Sequence, residues 1–120
     1  MRILIVDDDN LTREYISEFV RTILNHEVDE ADSGLPAWDR YQLKPYPLVI
    51  SDIRMPGMGG LELLAKINGF DTTIQTKVVM ITGFGEMQSS IQALRLNAFD
   101  YLEKPIELDE LAKVIKRAEK

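Results

Sequence analysis

The chain has 120 residues, 20 acidic against 14 basic side chains, a formal net charge of −6 and no cysteine. The negative charge disfavours direct binding to nucleic acid or to an anionic membrane surface, and the absence of cysteine excludes disulfides and thiolate metal sites. No apolar stretch approaches the roughly 18 residues of a membrane span. The length suits one domain with its own core, so we expect residues 1–120 to form a single cytoplasmic domain.

Five short segments predict strands. Continuous apolar runs rich in β-branched residues lie at 3–6, 48–50 and 78–81, and such runs are typical of strands that helices cover on both faces. The segment 27–31 is more polar, which indicates a strand near the edge of the sheet. The run YLE at 101–103 predicts the last strand.

Helical periodicity fills the intervals between these strands. Apolar side chains recur at helix spacing after Asp9 and Asn10, either of which could cap the first helix. The alternation of strand and helix predicts an α/β fold, doubly wound, in which helices cover both faces of a parallel sheet and the crossovers are right-handed. The predicted helices cover residues 11–23, 35–43, 61–68, 87–98 and 108–118.

Four polar residues stand at or just past the downstream ends of the predicted strands: Asp7, Asp52, Thr82 and Lys104. Parallel strands bring these ends to one edge of the sheet, where open α/β sheets place their sites. Asp7 and Asp8 would share a small cleft with Asp52, and clustered carboxylates repel each other unless a cation offsets their charge. An oxygen-only cluster favours a hard ion such as Mg²⁺, and a carboxylate there could be the nucleophile that forms an aspartyl phosphate.

Four motifs in chain order carry a resemblance to a known family: ILIVDDDN, ISDIRMPGMGG, ITG and YLEKP. Together they resemble the signatures of response-regulator receiver domains of two-component signalling. The resemblance implies a flavodoxin-like (βα)5 fold with a five-stranded parallel sheet in the order 2-1-3-4-5. It implies a phosphoacceptor module that uses Mg²⁺ or Mn²⁺ and receives its phosphoryl group from a histidine kinase or a histidine phosphotransfer protein. Such a module is not an enzyme, although it takes part in its own phosphorylation and slow self-dephosphorylation.

The resemblance also implies roles for the residues of the site. Asp52 would be the phosphoacceptor, and Lys104 would pair with the phosphoryl oxygens. Asp8 would be the principal metal-binding carboxylate, assisted by Asp7 and Asp52. The backbone carbonyl of Arg54 would be a further metal ligand.

A switch is implied as well. Thr82 would hydrogen-bond a phosphoryl oxygen while Tyr101 turns inward, which changes the face formed by the fourth helix, the fifth strand and the fifth helix. That face would contact a downstream effector domain or protein, and a homodimer on phosphorylation is possible. Pro105 would follow a cis peptide bond. We hypothesise that Arg54 and Phe84 flank the path of hydrolytic water and slow the loss of the phosphoryl group.

Two other classes of function stay open at this point. A phosphohydrolase of the haloacid dehalogenase type would use Asp7 as nucleophile and Asp9 as general acid. The short chain gives it no cap domain, and Leu11 replaces the usual Thr or Val. A flavin or nucleotide binder on the same fold is disfavoured, because the loop after the first strand is acidic where a phosphate cradle needs Gly, Ser and backbone N–H groups.

The sequence also predicts the environment of His26 and the backbone conformation of Asn97, two residues outside the motifs. His26 is the single histidine and lies in a polar stretch, so we expect an exposed loop residue and not a phosphodonor. Asn97 stands where the family usually has glycine. Because Asn tolerates left-handed backbone angles better than most residues, we expect it to keep the turn.

Overall fold

Five strands lie parallel in one sheet in the computed structural model, which describes residues 1–83 and 95–120. Their order is 2-1-3-4-5, which confirms the predicted flavodoxin-like topology, and the polar second strand is at the edge. The strands are β1 (Arg2–Val6), β2 (Glu27–Ala31), β3 (Leu48–Asp52), β4 (Lys77–Thr82) and β5 (Asp100–Glu103).

Four α-helices connect or follow these strands in the described residues. None of them is long and apolar enough to cross a bilayer. They are α1 (Asn10–Glu18), which continues as a π-helical turn (Phe19–Ile23), α2 (Gly34–Leu43), α3 (Gly60–Asn68) and the C-terminal helix (Leu108–Ala118). Most of the helix predicted at 87–98 falls within residues 84–94 and so lies outside the described residues.

Helices cover both faces of the sheet and form two separate cores. One core joins β-strand side chains to α1 and the C-terminal helix, through residues such as Ile16, Val20 and Leu111. The other joins the opposite strand face to α2 and α3, through residues such as Tyr41 and Leu63. Successive side chains of a strand point to opposite faces of the sheet. Because each face is covered by a core, nearly every side chain of a central strand must be apolar, which explains the continuous apolar runs in the sequence.

The strand register brings the downstream strand ends to one edge. Val6 of β1 lies opposite Ser51 of β3, so Asp7 and Asp52 follow directly from paired positions. Thr82 is the last residue of the adjacent strand β4. The sheet therefore places the predicted site residues at the same edge, as expected for an open α/β sheet.

The structure changes one expectation about the loops and confirms another. His26 is not an exposed residue: its side chain is only 10% exposed, and its Nε2 lies 2.7 Å from Glu119 Oε1 of the segment that follows the C-terminal helix. The sequence did not indicate this contact because Glu119 is far away in the chain. Asn97 has a φ of 65°, so it does keep the left-handed turn.

Candidate functional site

Three carboxylates converge where β1 and β3 end. Asp7 and Asp52 are buried and Asp8 is exposed, and each offers one oxygen within 4.8 Å of the others. Two carboxylates about 4 Å apart repel by roughly 4 kcal/mol at an effective dielectric constant of 20. The cluster is therefore a concentration of negative charge that needs a cation.

Lys104 supplies part of the compensating charge. Its Nζ lies 3.2 Å from Asp52 Oδ2 and 3.5 Å from Asp7 Oδ2. The residue follows β5, and its backbone N–H donates to the Thr82 carbonyl at 2.7 Å, which ties the end of β5 to that of β4. The peptide bond between Lys104 and Pro105 is cis.

The protonation equilibria of the site reflect this crowding. Burial and then the charge of Asp7 raise the pKa of the Asp52 carboxyl to about 6, against the opposing influence of Lys104. Burial alone would lower the pKa of the Lys104 ammonium group, but the carboxylates of Asp52 and Asp7 outweigh it and the pKa is raised. Lys104 is therefore charged at neutral pH, and it only partly neutralises the carboxylates.

The donor set fits a hard divalent cation. Asp7 Oδ1 accepts the Asp9 N–H at 2.9 Å, but the buried Asp7 Oδ2 accepts no well-formed hydrogen bond from the described residues and has only the ion pair with Lys104 Nζ at 3.5 Å. A buried carboxylate oxygen without such a partner is costly, and metal coordination would satisfy it. The oxygen-only composition of the cluster matches the ligand preference of Mg²⁺ or Mn²⁺.

The other predicted site residues are placed as follows. The Thr82 side chain is buried at the end of β4, and Tyr101 on β5 is 41% exposed. Arg54 is exposed in the loop after β3, two residues beyond Asp52. Phe84 lies outside the described residues, so the structure gives no position for it.

Asp9 serves as the N-cap of α1. Its carboxylate accepts the Leu11 N–H at 3.3 Å and the Thr12 hydroxyl at 2.6 Å. The pKa of the Asp9 carboxyl is lowered, mainly by the hydrogen bond from Thr12 and further by the hydrogen bond from the Leu11 N–H. Desolvation acts in the opposite direction but is outweighed. A general acid needs a carboxyl that is protonated near neutral pH, so this environment is the wrong one for the acid of a phosphohydrolase.

Two glycines allow the loop after β3 to pack closely. A Cβ on Gly60 would lie 2.1 Å from the Asp52 carbonyl oxygen, and the Gly60 N–H donates to the Ile53 carbonyl at 2.8 Å. A Cβ on Gly34, at the start of α2, would lie 2.3 Å from the Met58 carbonyl oxygen. The backbone beside Asp52 is thus held by contacts that only glycine permits.

Arg13 of α1 also contacts the site, which no feature of the sequence indicated. Its Nη1 donates to the Asp7 carbonyl at 2.8 Å, its Nη2 to Asn10 Oδ1 at 2.8 Å and its Nε to Glu30 Oε1 at 3.1 Å. An arginine on the polar face of a helix ordinarily points to solvent, and no motif distinguished this one. Only the fold reveals that its partners include the backbone of the carboxylate cluster.

Comparison with known families matches residues 3–116 to the response regulator receiver domain. The chain belongs to this family. A receiver domain is a phosphoacceptor module of two-component signalling, and this is the function that the sequence motifs predicted. Together with the capping role of Asp9, the match disfavours the phosphohydrolase interpretation.

Relatives of two lengths share this receiver domain. The chain is 36% identical over 117 residues to the regulatory protein AtoC of Escherichia coli, covering 98% of this chain but 25% of AtoC. It is 35% identical over 121 residues to the chemotaxis protein CheY of Listeria monocytogenes, covering 100% of this chain and 99% of CheY. A crystal structure of a response regulator from Chloroflexus aurantiacus superimposes with a TM-score of 0.90 at 31% identity, covering 98% of this chain and 95% of that one. The chain thus spans nearly the whole length of some relatives and about a quarter of others.

Proposed function

We propose that this receiver domain accepts a phosphoryl group on the carboxylate of Asp52. The observation that supports this most directly is the burial of Asp52 at the end of β3, within reach of two other carboxylates and of Lys104. The donor would be a phosphohistidine of a histidine kinase or of a histidine phosphotransfer protein. As the bond from phosphorus to an Asp52 oxygen forms, the bond from phosphorus to the histidine nitrogen breaks, and the nitrogen keeps the electron pair.

The surrounding residues would position and neutralise the transferred group. Lys104 Nζ, already 3.2 Å from Asp52 Oδ2, would pair with the phosphoryl oxygens. We assign metal binding to Asp8, assisted by Asp7, Asp52 and the Arg54 carbonyl. Mg²⁺ or Mn²⁺ bound there supplies positive charge that offsets the charge developing on the phosphoryl oxygens.

Phosphorylation would be read out as a change of shape. The Thr82 hydroxyl would hydrogen-bond the new phosphoryl group, and Tyr101, now 41% exposed, would turn inward. An effector domain or protein would recognise the altered face around β5 and the C-terminal helix, and a homodimer could form through it. The helix predicted at 87–98, which would complete this face, lies mostly outside the described residues.

A groove beside the site offers a surface for the phosphodonor protein. It has a volume of about 810 Å³ and a largely apolar lining that includes Lys104 and Pro105. Leu11 and Tyr15 of the groove are 78% and 51% exposed. Apolar side chains at such exposure beside the acceptor suit contact with a partner protein.

The module would act in signalling and not as an enzyme. Its only turnover would be slow hydrolysis of its own aspartyl phosphate. We propose that Arg54 and Phe84 slow this hydrolysis by flanking the path of the attacking water. The likeness to CheY and AtoC also supports residues 1–120 as one receiver domain.

Intact mass spectrometry after incubation with acetyl phosphate tests the acceptor. We expect the wild type to gain one phosphoryl group in the presence of Mg²⁺ and none in the presence of a chelator. Asp52→Ala should gain none, whereas Asp39→Ala, which removes an exposed carboxylate of α2, should behave as the wild type. A phosphoryl group that persists in Asp52→Ala but disappears in Asp7→Ala would overturn the proposal and return attention to a nucleophile at Asp7.

A further inference from the structure

Arg13 connects three parts of the chain at the edge of the carboxylate cluster. Its guanidinium group contacts the Asp7 carbonyl at the end of β1, Asn10 at the start of α1 and Glu30 on the edge strand β2. The Arg13 side chain is 14% exposed and that of Glu30 is 30% exposed, so the contacts with the Asp7 carbonyl and with Glu30 are partly shielded from water, whereas the contact with Asn10 is exposed. Three different nitrogens of the planar guanidinium group donate to these three partners, and the single ammonium nitrogen of a lysine cannot reproduce that geometry.

The contact with the Asp7 carbonyl bears on the direction of Asp8. The peptide group between Asp7 and Asp8 is planar, so fixing its carbonyl oxygen also fixes the direction in which the chain continues to Asp8. Among the described residues no hydrogen bond holds the exposed Asp8 carboxylate. Its position relative to the other two carboxylates therefore depends on this backbone. Arg13 holds it from the carbonyl side, while the Asp7 N–H donates to the Ala31 carbonyl at 3.2 Å and the Asp9 N–H donates to Asp7 Oδ1 at 2.9 Å.

We propose that Arg13 is a positioning residue that sets the affinity of the carboxylate cluster for Mg²⁺ by fixing the peptide group between Asp7 and Asp8. The inference rests on the proposed function, since it takes these carboxylates as the metal ligands. Glu30 supports Arg13 from β2 at 3.1 Å, so the edge strand contributes indirectly to the metal site. Groups that orient metal ligands in this way commonly change metal affinity by about 10–100-fold when they are removed.

Charge alone predicts the opposite result. Arg13 is a cation close to a cation-binding cluster, so its electrostatic effect is to repel Mg²⁺. Removing the guanidinium charge without loss of ligand geometry would therefore tighten Mg²⁺ binding. A weaker affinity in spite of the lost positive charge would identify positioning as the dominant role.

Calorimetric titration with Mg²⁺ alone separates these effects. We expect Arg13→Ala to bind Mg²⁺ about 10-fold or more weakly than the wild type, and Arg13→Lys to bind it several-fold more weakly although its charge is kept. Arg21→Ala is the matched control, because Arg21 also pairs with Glu30, at 3.7 Å, but its guanidinium group donates to the Val28 carbonyl of β2 and not to the Asp7 carbonyl. Its affinity should stay within about twofold of the wild type.

The outcomes distinguish a failure of the proposed function from a failure of the role proposed for Arg13. If the wild type binds no Mg²⁺, the proposed function fails and the role of Arg13 fails with it. If the wild type binds Mg²⁺ and both Arg13 variants bind it equally well or better, only the role of Arg13 is overturned. A lower melting temperature in the Arg13 variants with unchanged Mg²⁺ affinity also overturns it, because the residue would then be merely structural. Should Arg13→Ala not fold, Arg13→Lys alone decides the question.

Discussion

Asp52 carries an electrostatic cost in the metal-free protein. Its side chain is buried beside Asp7, and the pKa of its carboxyl is raised from the ordinary value of 3.8 to about 6. A raised pKa means that the folded protein holds the Asp52 proton more tightly than the unfolded chain does. The free energy of unfolding therefore falls as the pH rises from about 4 to about 6, and the loss persists above that range.

Asp52→Asn should consequently stabilise the metal-free protein at neutral pH. The neutral amide avoids the cost of burying a charge and the repulsion from Asp7, but it gives up the attraction of Lys104. Because water also screens part of these effects, we expect a gain on the order of 1 kcal/mol above pH 6. The gain should shrink towards pH 4, where the wild-type carboxyl is itself protonated. Urea denaturation in a chelating buffer across this pH range measures it.

Asp39→Asn serves as the control, since it removes an exposed carboxylate of α2. Its effect on the free energy of unfolding should be small, within about 0.5 kcal/mol. An Asp52→Asn variant that is less stable than the wild type at pH 7 would contradict the argument. It would mean that the attraction of Lys104 to Asp52 exceeds the repulsion and the cost of burial.

The sequence predicted which residues lie together when those residues stand at the ends of strands. Asp7, Asp52 and Lys104 could be predicted to meet, because parallel strands bring their downstream ends together. Contacts made by long side chains across the fold could not be predicted. Arg13 reaches the Asp7 carbonyl and His26 reaches Glu119 through geometry that exists only after folding.

At the scale of elements, the start of α3 depends on a close approach to β3. A Cβ on Gly60 would lie 2.1 Å from the Asp52 carbonyl oxygen and 2.9 Å from Ile53 Cα. Both neighbours are backbone atoms, so they cannot turn away as a flexible side chain could. The helix and the strand would have to separate, and the backbone of Asp52, the proposed phosphoacceptor, would move with them.

Gly60→Ala should therefore destabilise the protein and impair phosphorylation. We expect a loss of about 1–3 kcal/mol in the free energy of unfolding, as is usual when atoms are forced into a well-packed core. Urea denaturation gives the stability, and phosphorylation by acetyl phosphate at a temperature where the variant is folded gives the effect on the site.

Gly69→Ala is the matched control at the other end of the same helix. Among the described residues, the atom nearest to a Cβ there would lie 3.6 Å away, and the φ of −89° suits any residue. We expect its stability to remain within about 1 kcal/mol of the wild type. Equal losses from the two substitutions would indicate that the tight packing around Gly60 has no special importance.

The elements themselves differ in how far the sequence predicts them. β3 and β4 were predictable because their continuous apolar runs match burial on both faces. The π-helical turn Phe19–Ile23 was not predicted, since its apolar spacing fits an ordinary α-helix equally well. It is recognised by the hydrogen bond from the Leu24 N–H to the Phe19 carbonyl, and composition does not encode that bond.

At the scale of the whole molecule, the sheet concentrates charge from separate parts of the chain. Asp7 directly follows β1, Asp52 ends β3 and Lys104 directly follows β5, and only the folded sheet brings them together. In the unfolded chain these charges are far apart and well solvated. A cation that binds the assembled cluster therefore binds the folded state selectively, so metal binding must stabilise the entire fold.

Mg²⁺ should accordingly raise the melting temperature of the protein. At a concentration ten times its dissociation constant, mass action gives about 1.4 kcal/mol, which corresponds to a shift of roughly 5 °C for a chain of this size. Asp8→Asn should abolish most of this shift while leaving the metal-free protein folded, because the Asp8 side chain is exposed. Asp39→Asn should keep the whole shift, and a potassium salt at the same ionic strength should not reproduce it in the wild type. If Asp8→Asn responds to Mg²⁺ as strongly as the wild type does, the cation binds elsewhere, because the carboxylate expected to contribute most to the site would then be dispensable.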